Sequence, residues 1–275
     1  MINYTDRLAV LVHDVVSRVP ALSFIDSRDV FVFAREGRST ARGAIATCHC
    51  LTLPESEPGY YFWRDRDTGQ ITRRSEWFVT KSPTVSLGNR PIKYLVSFAL
   101  PRFCDQSLEG SRKDRYYDAS KAPWLAKLDT VVHELYHIAP DLRGIRRIHG
   151  ADGQSAANCH GHRFFRDVAD MVACYLESGP DPATHAFLRY SFDELDRRYG
   201  GVVGVTFRTF PSFPQRYLEP LTEQPPCHAD LADIRVEPLR ISRTPRHYAE
   251  RDLHLRQFFR EASRRAGRLG AFRAA

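Results

Sequence analysis

The 275-residue sequence has no run of eighteen apolar residues, which excludes a helix that spans a membrane. The first twenty residues, up to Pro20, also lack the unbroken apolar stretch of a signal peptide. Asp6, Arg7, His13, Asp14 and Arg18 interrupt it, and the segment reads as an amphipathic helix. No CxxC pair occurs, which removes zinc-ribbon spacing, and no internal repeat is present. The six cysteines (Cys48, Cys50, Cys104, Cys159, Cys174, Cys227) come without a secretory signal. They point to a reducing compartment, so a cytoplasmic location is expected rather than a disulfide framework. Lysine is scarce: of 40 basic residues only Lys81, Lys93, Lys113, Lys121 and Lys127 are not arginine, a bias that a GC-rich genome explains.

What is present is the composition of an ordinary globular chain, 43% hydrophobic and 27% charged. The formal charge of +7 is unevenly placed. From Arg240 onward ten arginines face only Glu250, Asp252 and Glu261, so this tail carries the whole excess and residues 1–239 balance to zero. Arg256, Arg260, Arg264 and Arg268 recur every four residues. On a helix they make one basic stripe, able to contact nucleic-acid phosphates or simply to face water.

Periodicity predicts a helix over 4–18. Asp29–Ala34 and Gly43–Leu53 read as paired strands, and a second hairpin spans 60–66 and 71–80 around Asp67-Thr68-Gly69. A further strand covers Ile92–Leu100, and a polar loop covers 102–120. Ser120 and Pro123 give start signals for a helix over Trp124–Ile138, whose core stripe is Leu128, Val131, Val132 and Leu135. A second helix is expected over His160–Leu176, then a short helix over 191–199 and a strand over 202–210. A proline-rich stretch and a final helix complete the chain. The expected division is residues 1–200 as the domain and 201–275 as a proline-rich, basic extension.

The pattern that carries chemistry is His133-Glu134-Leu135-Tyr136-His137, an HExxH motif. Two histidines four apart project from one helix face a turn apart, where both imidazoles can bind one Zn²⁺. Glu134 stands beside them, where a carboxylate can accept a proton from an activated water. A catalytic zinc needs a third protein ligand and an open fourth position. Pro140 and Arg143 stand where the metzincin pattern requires Gly and His, so that subclass is excluded. The remaining candidates are His160, which opens the second helix, then His162, His149 and Asp167. Arg146, Arg147 and several tyrosines could stabilise an oxyanion, and the pattern selects none of them.

His133-Glu-Leu-Tyr-His137-Ile-Ala-Pro140, Gly144-Ile145-Arg146-Arg147 and His160-Gly161-x-x-Phe164 together resemble the phage-type metallopeptidase domain, akin to SprT-like and minimal gluzincin-type zincins. The resemblance covers about residues 20–180 and is specific at the HELxHI and HGxxF blocks. It implies an α+β, zincin-like fold, with a small, mostly antiparallel sheet packed on the HExxH helix and a second helix carrying the third ligand. It further implies His133, His137 and His160 as zinc ligands and Glu134 as catalytic base. Two features depart from it: the loosely patterned connection 151–159, and the missing CxxC pairs of a C-terminal zinc ribbon. The function these features predict is a zinc-dependent peptidase acting on a protein or peptide. The alternatives are a nucleic-acid-associated binding protein that keeps the fold without hydrolysis, and an amidohydrolase acting on a non-peptide bond.

Two weaker groupings complete the reading. Cys48 and Cys50 point the same way on a strand and could join Cys227 and His228 in a structural zinc site, or be ordinary buried thiols. The block Tyr60-Tyr61-Phe62-Trp63 could wall a ligand site or serve the core.

Overall fold

The computed structural model describes residues 1–37, 43–51, 62–64, 71–74, 78–81, 83–118, 122–147, 159–208, 217–220 and 247–260. In chain order the elements begin with β1 (Ile2–Asn3), α1 (Tyr4–Arg18), β2 (Val30–Gly37), β3 (Ala46–Cys50), β4 (Phe62–Arg64) and β5 (Ile71–Arg74). Then come β6 (Phe78–Lys81), β7 (Thr84–Leu87), β8 (Arg90–Ile92), β9 (Tyr94–Pro101), α2 (Leu125–Tyr136) and α3 (Phe164–Glu177). The last are α4 (Pro182–His185), α5 (Phe192–Tyr199), β10 (Val202–Phe207), β11 (Tyr217–Pro220), β12 (His247–Tyr248) and β13 (Leu253–Phe258). No helix among the described residues is long and apolar enough to cross a membrane.

The fold is α+β, and its sheets are small and mixed rather than mostly antiparallel. The sheet that carries the candidate site has the order β2-β9-β3, with β2 parallel and β3 antiparallel to β9. The sequence predicted β2 and β3 as partners of each other; β9 lies between them instead. Its residues Tyr94-Leu-Val-Ser-Phe-Ala-Leu-Pro101 are apolar at nearly every position and all eight are buried. Such a strand gains most by lying in the middle of a sheet covered on both faces. Tyr94, Val96, Phe98 and Leu100 face the main core with Val32 and Ala34, against α1, α2 and α3. Leu95 and Phe33 face a second cluster with Val85, Ile92, Phe207 and Tyr248.

The hairpin expected around residues 67–69 is present as β4 paired with β5, whereas β6 pairs with β11. Helix α1 starts on the side chain of Asn3 and buries Leu8, Leu11, Val12 and Val15. Helix α5 begins with a reciprocal Ser191–Glu194 capping box and ends at Gly200, whose φ of 68° places it in the left-handed region.

The boundary expected near residue 200 is not a break in the hydrogen bonding. Strand β10 lies between β1 and β13, so residues beyond 200 are paired with both ends of the described chain. The expected final helix is also corrected. Residues 253–258 are a strand, in register with β10 from Val202↔Phe258 to Phe207↔Leu253. Leu253 and Leu255 alternate with His254 and Arg256, a period of two, and the β-branched strand β10 offers an edge to pair with. The basic stripe is therefore not formed where it can be followed. Arg256 pairs with Glu36 at 2.8 Å, and Arg260 pairs with Asp193 at 2.7 Å and Asp105 at 3.0 Å. Arg264 and Arg268 lie outside the described residues.

Candidate metal centre

Helix geometry distributes the residues of α2. At about 100° per residue, Leu128, Val131, Val132 and Leu135 fall within one arc of about 100°, and all four are fully buried. His133 and His137 lie about 40° apart on the opposite side, with Glu134 about 60° beyond His137. Docking the core arc thus turns both imidazoles away from the core. The helix ends at His137, three residues before Pro140.

The third imidazole arrives from outside the helices. His160 lies four residues before Phe164, the first residue of α3, not in that helix's first turn as predicted. The reason is packing: Phe164 is buried with its ring centroid 4.9 Å from His133, 4.9 Å from His137 and 4.7 Å from His160. Its ring packs against all three imidazoles and so fixes where the chain that bears His160 enters α3.

The three Nε2 atoms converge. His133–His137 and His133–His160 are each 3.2 Å apart, and His137–His160 is 3.1 Å. A neutral imidazole nitrogen either donates or accepts, never both. Among three mutually close nitrogens at least two must therefore be alike, and one pair repels whatever tautomers are chosen. A cation that accepts all three lone pairs removes this conflict. The spacing suits one, since two nitrogens on a tetrahedral zinc with bonds of 2.0–2.1 Å stand about 3.3–3.4 Å apart. His133, His137 and His160 are the only His, Cys, Asp or Glu cluster among the described residues arranged to hold a metal ion.

The surroundings keep the imidazoles neutral, the form a metal ligand needs. Burial is the main cause, lowering His133 to about 2 and His137 to about 3. Neighbouring imidazoles add to it, with Lys113 acting on His133 and Arg146 on His137. Nδ1 of His133 and of His137 is buried without a hydrogen-bond partner among the described residues.

Glu134 points elsewhere around the helix, toward the edge strand β3, where its carboxylate accepts a hydrogen bond from the Cys48 backbone N–H. It is only 5% exposed. Burial pushes its pKa up to about 8, against the opposing pull of that hydrogen bond and of Lys113 and Arg35.

Of the other predicted ligands, His162 is exposed and outside the cluster. Asp167 is engaged by the Tyr136 hydroxyl at 3.1 Å and by Arg163 at 3.6 Å. His149 lies outside the described residues, as do Cys227 and His228, so the cysteine site and the aromatic block at 60–63 have no described side-chain geometry. Cys48 and Cys50 lie on β3, Cys50 buried and Cys48 partly so.

One supporting group was missed by sequence reasoning. The Lys113 ammonium, from the loop before α2, pairs with Asp129 at 2.5 Å and donates to Thr130 Oγ1 at 2.5 Å and the Ala126 carbonyl at 3.1 Å. The Tyr117 hydroxyl donates to the other Asp129 oxygen at 2.7 Å. Asp129 and Thr130 stand one turn before His133 and Glu134. Two polar residues extending the polar face of a buried helix were the available signal.

The chain matches no protein-family model, no curated protein and no solved structure.

Proposed function

We propose that this protein is a zinc-dependent peptidase in which His133, His137 and His160 hold the metal and Glu134 is the general base. The convergence of three Nε2 atoms at 3.1–3.2 Å carries this reading, because without a cation the triangle is electrostatically frustrated. When bound, zinc supplies a Lewis acid that polarises a carbonyl and lowers the pKa of water toward 7. Glu134 takes up a proton and returns it to the leaving amine. Its buried carboxyl has the high proton affinity this needs, and a divalent charge nearby brings its pKa back toward neutrality. A peptide bond is the substrate that HExxH supports, since two histidines four apart on one helix face with the glutamate beside them is the metalloprotease arrangement.

Protein purified without chelator is expected to contain one zinc per chain by elemental analysis. His133→Ala and His137→Ala should lose it, and Glu134→Gln should keep it while hydrolysing none of the peptides the wild type cleaves. Full zinc in both histidine variants, or undiminished cleavage by Glu134→Gln, would overturn the reading.

A further inference from the structure

Directly after His137 the chain makes a tight hairpin. Ile138 bridges Ile145, the Leu142 N–H donates to the Ala139 carbonyl at 2.8 Å, and the Ala139 N–H donates to the Gly144 carbonyl at 3.4 Å. Gly144 has φ 98°, which favours glycine, and its carbonyl is held from below by the Tyr94 hydroxyl at 3.0 Å. The hairpin places Arg146 opposite His137, with the Arg146 N–H donating to the His137 carbonyl at 2.6 Å.

The Arg146 side chain is fixed at two further points. Nε donates to the Tyr136 carbonyl at 2.9 Å, and the guanidinium lies 4.2 Å from the centroid of the Tyr136 ring. Tyr136 is itself braced by Asp167 through its hydroxyl. These contacts use Nε and one face of the guanidinium. The two terminal amino groups have no hydrogen bond or ion pair among the described residues, although the side chain is half-buried. The charge acts at His137, where it helps to keep the imidazole unprotonated. A guanidinium that is stacked, held at Nε and left with open donors beside converging metal ligands is oriented for a ligand oxygen.

We propose that Arg146 is the electrophilic donor of the site: its terminal amino groups hold the negatively charged oxygen of a ligand bound at the His133–His137–His160 triad. In hydrolysis this is the oxygen of the attacked carbonyl, whose charge grows toward the tetrahedral state. The assignment rests on the metal-binding reading of the triad. It also singles out Arg146 from Arg147 and the tyrosines, between which the motif does not choose.

The test uses the full chain loaded with Co²⁺, whose visible spectrum reports ligands at the metal, and inorganic phosphate as a tetrahedral oxyanion probe. Elemental analysis first establishes one cobalt per chain in the wild type, Arg146→Ala and Arg146→Lys. Phosphate is then titrated against the spectrum. The dissociation constant is expected to rise about tenfold to a hundredfold in Arg146→Ala, the loss for a charged hydrogen bond. Arg146→Lys should also weaken binding, because it keeps the charge but not the forked donors held by stacking. Equal affinity in the wild type and Arg146→Ala would overturn the assignment. So would a lysine variant that matches the wild type, or a wild-type spectrum that phosphate leaves unchanged. Failure of all three proteins to take up cobalt would instead remove the metal reading itself, and this assignment with it.

Discussion

Replacing Glu134 with glutamine in metal-free protein should change how stability depends on pH, by an amount the structure sets. The buried carboxyl has a folded pKa of about 8 against an ordinary value of 4.5. The native state therefore keeps a proton that the unfolded chain releases. The associated stability is fully present below 4.5 and is lost as pH rises toward 8. Unfolded imidazoles, with an ordinary value of 6.5, lose their remaining protons over the same range, so His133 and His137 offset part of the loss equally in wild type and variant, and the difference between the two proteins isolates Glu134. Over the 1.5 pH units from 6.5 to 8, at 1.36 kcal/mol for each, the wild type should lose about 2 kcal/mol relative to Glu134→Gln. Glutamine has nearly the same volume, and its amide oxygen can still accept from the Cys48 N–H. Its own N–H groups need partners at every pH, which shifts the stability curve without tilting it. Urea denaturation of chelator-treated protein at pH 6.5, 7.25 and 8 measures the slope. The wild-type midpoint should fall across the series relative to that of Glu134→Gln. Parallel curves for the two proteins would refute the burial of an ionisable carboxyl at this position.

On the acid side, the depressed values of His133 and His137 act in the opposite sense: metal-free protein should lose stability as pH falls from 6.5 toward 3, where the unfolded chain binds protons that the native imidazoles refuse. Melting temperatures at pH 6.5, 5.5 and 4.5 check this, and a flat profile would count against the neutral triad. Asp129→Asn should cost about 3 kcal/mol in urea denaturation, because the half-buried Lys113 ammonium loses the counter-charge of the buried Asp129. The double variant Lys113→Met/Asp129→Leu should recover much of that loss. Leu135→Ala, which empties a fully buried position on the face of α2 opposite the histidines, should cost about 2–5 kcal/mol by the same assay.

The local pattern of the chain was legible where one element answers to its own residues. The first helix runs over 4–18 as its apolar spacing requires, and the Phe164, Val168, Met171, Val172 and Tyr175 stripe of α3 is buried as predicted. HExxH and the block from His160 to Phe164 named the three imidazoles that the structure brings together. Pairing between distant segments was not legible. Nothing local to residues 29–53 says that β9, more than forty residues on, will enter between β2 and β3, since that depends on which strand is apolar on both faces. The tail misled for a related reason. Arginines spaced by four suggest a helix, yet Leu253 and Leu255 carry a competing period of two, and the open edge of β10 decides between them.

The rotation of α2 about its axis is set on three sides besides its core face, and each brace is a polar residue within one turn of His133 or His137. Asp129 and Thr130 hold the preceding loop through Lys113, Glu134 meets the edge of β3 at Cys48, and Tyr136 reaches Asp167 on α3. Apolar packing seats the core face of the helix but supplies no directional bond to its polar side. Hydrogen bonds weaken steeply with misalignment, so three of them in different directions restrict the rotation further. His133 lies in the last turn of α2 and His137 caps the same helix, and His160 meets them from a chain anchored four residues later by Phe164. The three nitrogens are thereby gathered before any ion arrives. The repulsion among them is a cost that the folded protein bears in the metal-free state and that a bound cation would convert into affinity.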